Sequence, residues 1–209
     1  MKTSPRAGHA TLLACLLMTI TAATAQAESS EPADTVVAVW KVQQMDFVHS
    51  GYGTIYSCGG LREKLRMILQ RIGARDGIKI TAYNCDIETG RAHVQITLAS
   101  PVEATAENLR ALTSYDSRQE LIAIARGEPL PTEENLPRFA AAWKTVSFAR
   151  DRKLNLAAGD CELLEQLRKE IIPRLSVRIV RDNLRCSHTF GNANPPRLTV
   201  AALVAEERR

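Results

Sequence analysis

The chain carries the stretch AVWK at residues 38–41 and the similar stretch AAWK at residues 141–144. Each holds one of the only two tryptophans, and each tryptophan stands 18 residues before a cysteine. The positions that match 103 residues apart are Trp40 and Trp143, Lys41 and Lys144, Cys58 and Cys161, Leu61 and Leu164, Ile68 and Ile171, and Arg71 and Arg174. This pattern predicts an internal duplication; the alternative is convergence of two similar supersecondary units.

Hydrophobic periodicity predicts the order β-α-β-β for the first copy. Apolar residues alternate from Val36 to about Val48, which is typical of a strand with one buried face. Ser57 suits a helix N-cap, and the helical leucine and isoleucine spacing that follows ends at Gly73. Two further strands are predicted at residues 78–81 and 93–98.

The second copy gives the same order with different details. A strand is predicted over residues 144–156, and Asp160 takes the N-cap position that Ser57 has in the first copy. The helix that follows should end or kink at Pro173, because proline cannot continue a regular helix. The remaining strands are predicted at residues 177–180 and 198–204.

These elements predict an α+β fold of two β-α-β-β units joined by a helical connector. Between the units, apolar residues recur at helical spacing and Gly127 suits a helix end, so we expect the connector to pack against the sheets. The predicted organisation is a signal peptide at 1–27, the first unit at 28–103, the connector at 104–136 and the second unit at 137–209.

The first 27 residues are typical of a secretory signal, with Lys2 and Arg6 ahead of an apolar run and the motif AQA at residues 25–27. A lipoprotein signal ending at Cys15 is the rival interpretation. Cleavage after Ala27 predicts a periplasmic or secreted chain without a further transmembrane segment.

Cleavage also leaves an even number of cysteines, Cys58, Cys85, Cys161 and Cys186. In an oxidising compartment paired cysteines persist as disulfides. A helix start and the end of the following parallel strand meet at one edge of a sheet, which favours Cys58–Cys85 and Cys161–Cys186. Four cysteines allow three connectivities, and the others stay open.

Charge and motifs exclude several function classes. The leader holds two of the 27 Lys+Arg and none of the 23 Asp+Glu, so the mature chain is nearly neutral, which argues against a nucleic-acid binder. The cations of the first helix (Arg62, Lys64, Arg66, Arg71 and Arg75) are most simply a solvated face. We expect no metal and no cofactor, since no catalytic motif occurs and the histidines lack ligand spacing: His49, His93 and His188.

The repeated tryptophans and the tyrosines near the first cysteine are the candidate binding residues. A ligand site could use Trp40, Lys41, Tyr52, Tyr56, Trp143 and Lys144. The competing interpretation places both tryptophans in the core between sheet and helix, with the neighbouring lysines in solvent.

The stretches YSC at residues 56–58, IGAR at 72–75 and GDCELL at 159–164, with the Trp-Lys pairs, resemble a family of exported proteobacterial proteins that has no established activity. The resemblance covers most of the mature chain and implies a periplasmic setting. It implies no catalytic residues.

Taken together, these features favour a non-catalytic binding or protein-interaction module of the cell envelope, with an envelope protein or small ligand as partner. The alternative is a small-ligand-binding protein or hydrolase with its site in the cleft between the two units. An enclosed pocket lined by His, Asp or Glu would favour the enzyme, and a shallow apolar groove or exposed sheet edge would favour partner binding.

Overall fold

A computed structural model of the protein describes residues 35–51, 53–86, 88–186 and 196–206. The predicted signal peptide, Tyr52 and His188 lie outside these residues. Within them the fold is α+β, as predicted, with an antiparallel sheet and four α-helices. The elements are β1 (Thr35–Ser50), α1 (Cys58–Arg71), β2 (Lys79–Tyr83), β3 (Arg91–Glu103), α2 (Ala106–Leu112), α3 (Ser117–Arg126), β4 (Arg138–Ser147), α4 (Cys161–Glu170), β5 (Val177–Asn183) and β6 (Arg197–Ala205).

One six-stranded sheet with the order β2-β3-β1-β4-β6-β5 joins the first half (residues 35–103) to the second half (residues 138–206). β1 and β4 pair antiparallel only where residues 35–39 meet residues 138–142, with Val37 opposite Ala140 at the centre. β1 and β2 run in the same direction, as predicted, but β3 lies between them and pairs antiparallel with both.

Helices α1 and α4 supply apolar side chains to the same core. On β1, Met45 and Phe47 are buried and alternate with exposed residues, because successive side chains of a strand point to opposite faces. The core they join is continuous across the halves and includes Leu65, Ile68 and Ile96 of the first half and Phe148, Leu164, Leu167 and Val200 of the second. Burying each large apolar side chain stabilises the fold by roughly 1.5–3 kcal/mol.

The ends of α1 follow the sequence prediction. The Ser57 hydroxyl accepts a hydrogen bond from the Gly60 amide at 3.1 Å, which confirms the N-cap. After the helix, Gly73 has φ +102°, and a Cβ built there would lie 2.2 Å from the carbonyl oxygen of Leu203. Only glycine fits this contact between the end of α1 and β6.

The predicted strand at 144–156 is wrong in its second part. β4 ends at Ser147, and Arg152–Leu154 forms a 3₁₀ turn. The Asp151 carboxylate accepts from the Lys153 amide at 3.0 Å and Asn155 has φ 44°, so local turn hydrogen bonding replaces the strand ladder. The turn buries Leu154 in the main core.

Two disulfides are present, Cys58–Cys85 and Cys161–Cys186, in the predicted pairing. Each joins the first residue of a helix to the segment just after the following strand, with Cα–Cα distances of 5.6 and 5.5 Å. Each bridge therefore lies within its own half, and neither links the two halves.

The connector forms two helices, of which one packs as expected and the other does not. α2 buries Leu109, whereas α3 contributes no buried residue. The expectation that both connector helices pack against the sheets is therefore wrong for α3. No helix in the described ranges combines the length and the apolar character needed to cross a bilayer.

Candidate functional site

Both tryptophans lie on the sheet face opposite the helices. Trp40 alternates with the core residues of β1 and stacks on Phe139 with ring centroids 4.4 Å apart. Trp143 packs against a small separate cluster that contains Ala38, Ala141 and Leu203. The expectation that the tryptophans fill the core between sheet and helix is therefore wrong. Both are half-buried, and Lys41 and Lys144 are exposed, as expected.

Each tryptophan is covered by an arginine. The Arg75 guanidinium lies 5.5 Å from the Trp40 ring centroid, and that of Arg178 lies 3.9 Å from the Trp143 ring centroid. The Trp143 indole also donates to Glu103 at 3.1 Å, and Glu103 pairs with Arg178 at 3.7 Å. These rings are already engaged by protein groups, so the structure favours a packing role over an open ligand platform.

A buried polar cluster joins the two halves on the opposite side of the sheet. We call it the inter-half cluster; its members are His49, Tyr56, Lys64, Asp160, Glu162 and Gln166. The first three come from β1, the loop after it and α1; of the last three, Asp160 directly precedes α4, and Glu162 and Gln166 lie in it. Of the candidate tyrosines, Tyr56 belongs to this cluster.

Asp160 is the centre of the cluster. Its carboxylate is buried and accepts from the Tyr56 hydroxyl, from Lys64 Nζ at 3.2 Å and from the Ala157 amide at 2.7 Å. Asp160 occupies the predicted N-cap position of α4, but its side chain makes no hydrogen bond to the first turn of the helix. The carboxylate instead satisfies donors from both halves, which a buried charge requires.

His49 meets Gln166 of α4 at the other end of the cluster. The Gln166 amide oxygen accepts from the Ser50 amide at 3.2 Å, and its NH₂ group donates to the Ser50 carbonyl at 2.5 Å. With the amide oriented in this way, His49 Nδ1 donates to that oxygen at 2.8 Å, and Nε2 is left as an acceptor. Nε2 is buried and has no hydrogen-bond partner within the described part of the chain.

Burial controls the protonation of both ring-bearing members. It lowers the pKa of His49, against the opposing effects of the Gln166 hydrogen bond and the Glu162 charge, so the neutral imidazole is favoured. Burial also raises the pKa of the Tyr56 hydroxyl, and the hydrogen bond to Asp160 and the charges of Asp160 and Glu162 act in the same direction. The cluster thus favours a neutral histidine and a protonated tyrosine.

Three titratable members of the inter-half cluster are withdrawn from solvent. Glu162 is buried as well, and it accepts from the Gly53 amide at 2.9 Å. His49, Asp160 and Glu162 are each at least nine-tenths buried. A cavity of about 820 Å³ lies elsewhere between the halves, and its lining includes Arg71, Lys144 and Glu206. No group of three His, Cys, Asp or Glu side chains in the described segments is placed to hold a metal ion.

Two cations of the first helix cross to the second half. Lys64 donates to Asp160 and to the Asn155 carbonyl at 2.9 Å, and Arg71 forms an ion pair with Asp151. The expectation of a purely solvated cationic face is therefore wrong for Lys64, whereas Arg71 stays exposed while it forms its ion pair. Arg66 does pair on the helix surface, with Glu63, at 2.6 Å.

Among the helices that the structure describes, the exposed large apolar side chains all lie on α3. We call this apolar surface the α3 face; its members are Leu121, Ile122, Ile124 and Ala125. Leu121, Ile122 and Ile124 are 66%, 41% and 77% exposed. Beside it lies a shallow groove of about 490 Å³, lined by Glu120, Ala123, Ile124, Gly127, Glu128, Pro129 and Leu130.

Both ends of α3 are capped. The Asp116 carboxylate accepts from the Gln119 amide at 2.7 Å, and the Gln119 side chain accepts from the Asp116 amide at 2.9 Å. Gly127 ends the helix with φ 65°. The capping box and the glycine stop fix where this helix begins and ends.

Comparisons with protein-family models, with curated proteins and with solved structures return no match.

Proposed function

We propose that the chain is a non-catalytic protein-interaction module of the cell envelope and that it binds its partner through the α3 face. The observation that carries this proposal is a capped 10-residue helix with no buried residue and three exposed large apolar side chains. A contiguous apolar surface on a folded protein is typical of an interaction site.

Energetics support a partner on this helix. An isolated helix of this length is marginal in water, and most helical stability comes from packing of an apolar face. Covering the exposed parts of Leu121, Ile122 and Ile124 would contribute roughly 3–6 kcal/mol of gross stabilisation, before the cost of association is subtracted. The α3 face therefore gains more from a partner than from solvent.

The inter-half cluster supports the non-catalytic part of the proposal. Its hydrogen bonds join β1, the following loop and α1 to α4 and the residue before it, across sequence separations that exceed 90 residues. Groups placed in this way hold two parts of a fold together. The shallow groove beside α3, with Ala123, Ile124 and Leu130 in its lining, supports partner binding at this helix.

The exported setting rests on the signal-like leader and on the disulfides. Both cysteine pairs of the mature chain are oxidised, which is typical of periplasmic and secreted proteins. We propose a periplasmic location on these grounds.

We infer also that the halves descend from an internal duplication. The β1–β4 register is centred on Val37 and Ala140, which are themselves 103 residues apart. The same offset relates Arg75 to Arg178, each of which covers its own tryptophan. The sheet order places the strands of the second half as a twofold counterpart of those of the first.

The function is tested by capture from an envelope extract with the exported, disulfide-bonded protein as bait. We expect a partner that binds the wild type and the control Val42→Lys, which carries its charge on an exposed β1 position. The double variant Leu121→Lys, Ile124→Lys should capture at least tenfold less of that partner. The interaction should then be reproduced with the purified partner, whether this is another protein or the protein itself.

Two outcomes would contradict the proposal. One is equal capture of every partner by the α3 variant and the wild type. The other is activity in a broad hydrolase screen that disappears in Tyr56→Phe while the fold, followed by circular dichroism, is retained.

A further inference from the structure

We propose that the cavity between the halves binds short extended peptides, with the free carboxylate of the peptide at Lys144 and Arg71 and its free amino group at Glu206. The cavity shares no lining residue with the groove beside α3, so this inference goes beyond the proposed function.

The cavity is formed where α1 of the first half meets β4 and the end of β6 in the second. Its volume of about 820 Å³ lies within the range of ligand sites, which is about 300–1,000 Å³. Val146, Val204 and Ala205 give it an apolar part, and Gln70 and Thr145 supply neutral hydrogen-bonding groups. Apolar surface with a few polar groups is the usual composition of a ligand site.

The charged side chains of the cavity keep capacity for a ligand. Lys144 and Glu206 make no side-chain hydrogen bond or ion pair with any other described residue. The Arg71 guanidinium is fixed through its Nε by the ion pair with Asp151, and its two terminal NH₂ groups have no partner among the described residues. A guanidinium held in this way can still donate to a carboxylate.

The balance of charge favours a ligand that carries both signs. Asp151 offsets the charge of Arg71, and the charges of Lys144 and Glu206 are opposite, so the site as a whole is neutral. A ligand with charges of one sign would be attracted by one of these groups and repelled by the other. A peptide with free termini is attracted at both ends.

The spacing of the charges gives the length of the peptide. Glu206 directly follows β6, and its amide donates to the Ala140 carbonyl of β4 at 2.9 Å, four residues before Lys144. At about 3.3 Å per residue, the two charged residues are about 13 Å apart along the sheet. An extended peptide has a similar rise, so about three or four residues place an amino group and a carboxylate at this distance.

The first half offers a matched position that lacks the acid. Lys41 precedes Lys144 by 103 residues and is exposed as well. The Ala104 amide donates to the Val37 carbonyl at 2.8 Å, as the Glu206 amide does to the matching residue of β4. Alanine therefore stands where the second half has glutamate, and Lys41 is the control for Lys144.

The test titrates tetra-alanine with free termini, up to about 20 mM, into the full exported chain with both disulfides intact, followed through backbone amide NMR signals. We expect saturable binding in the millimolar range, with shifts at residues 144–146 and 204–206. Lys41→Gln should bind like the wild type. Lys144→Gln and Glu206→Gln should each weaken binding about two- to fivefold, as expected for partly exposed ion pairs. Absence of saturable binding, or equal affinity in all four proteins, overturns the inference.

Blocked peptides assign the two ends. N-acetylation or C-terminal amidation of tetra-alanine should each weaken binding to the wild type. Acetylation should have no further effect in Glu206→Gln, and amidation should have a smaller effect in Lys144→Gln. Binding that amidation weakens and acetylation leaves unchanged would describe a site for anions and overturn the peptide assignment.

The peptide site and the α3 face are tested independently. Non-reducing peptide mapping and circular dichroism check that each variant is folded. Leu121→Lys combined with Ile124→Lys should leave the affinity for tetra-alanine unchanged. A loss of peptide binding in this folded variant would place the peptide on α3 and overturn the inference, while the proposed function would stand.

Discussion

At the scale of single residues, the contacts that matter most lie between the halves. His49 follows Met45 and Phe47 at intervals of two on the buried side of β1, so strand alternation alone could have placed it in the core. Its partner Gln166 lies 117 residues further on, and no local pattern indicates that meeting. Asp160 was predicted as a helix cap because local patterns depend only on the helix that follows it. They carry no information on its distant partners Tyr56 and Lys64.

Protonation of His49 should make stability depend on pH. Its pKa is lowered from the ordinary value of 6.5 by burial, so below pH 6.5 the unfolded chain binds a proton that the folded chain does not. The free energy of unfolding should therefore be highest above pH 6.5 and fall as pH decreases, by at most about 1.4 kcal/mol per pH unit. The loss is complete below the folded-state pKa.

Urea unfolding from about pH 7.5 to about pH 5.5 measures this effect. His49→Gln removes the titrating group, while all other titrations are common to both proteins and cancel in the comparison. The variant should show a smaller fall in stability across the range. Equal falls would exclude His49 as the source.

At the scale of elements, periodicity and capping residues predicted most of the secondary structure. Ser57 caps α1 and Gly127 ends α3, as their local chemistry indicates. The strand predicted after Ser147 is wrong because turn hydrogen bonds at Asp151 compete with strand pairing. A hydrophobicity pattern does not show that competition. The predicted packing of α3 is wrong because an apolar stripe indicates that a surface should be covered but does not indicate what covers it.

Gly73 should be the least replaceable glycine at the end of α1. Gly73→Ala places a methyl group against the Leu203 carbonyl and also imposes a positive φ, whereas Gly77→Ala imposes only φ +90° with no atom within 4 Å. Positive φ costs about 1–2 kcal/mol in a non-glycine residue. Urea unfolding should show a larger loss for Gly73→Ala than for Gly77→Ala, and equal losses would contradict the contact with β6.

At the scale of the whole molecule, the sequence predicted the α+β class and the disulfide pairing. It did not decide whether the two units share one sheet. Two units with equal element order can form separate domains or share strands, and composition does not distinguish these outcomes. The pairing of residues 35–39 with 138–142 decides it, through hydrogen bonds between segments about 100 residues apart. A core that then runs through both halves makes separate unfolding of the units unfavourable.

The disulfides should stabilise the two halves about equally. The bridged cysteines are 27 and 25 residues apart, so the loop-entropy relation gives about 3.5 kcal/mol for each. Replacing Cys58 and Cys85 by serine, or Cys161 and Cys186 by serine, should lower the free energy of unfolding by similar amounts. Non-reducing peptide mapping of the exported protein provides the direct check, and a peptide that joined Cys58 to Cys161 would refute the pairing.

Since both bridges close within a half, the backbone between α3 and β4 is the covalent tie between the halves in the described part of the chain. A protease that nicks residues 127–137 would leave two polypeptides held by the β1–β4 ladder, the common core and the inter-half cluster. Such fragments, each with its own bridge, could be made separately and mixed. The protein would then reassemble as a split pair, and its association constant would report directly on the interface that the tether normally hides.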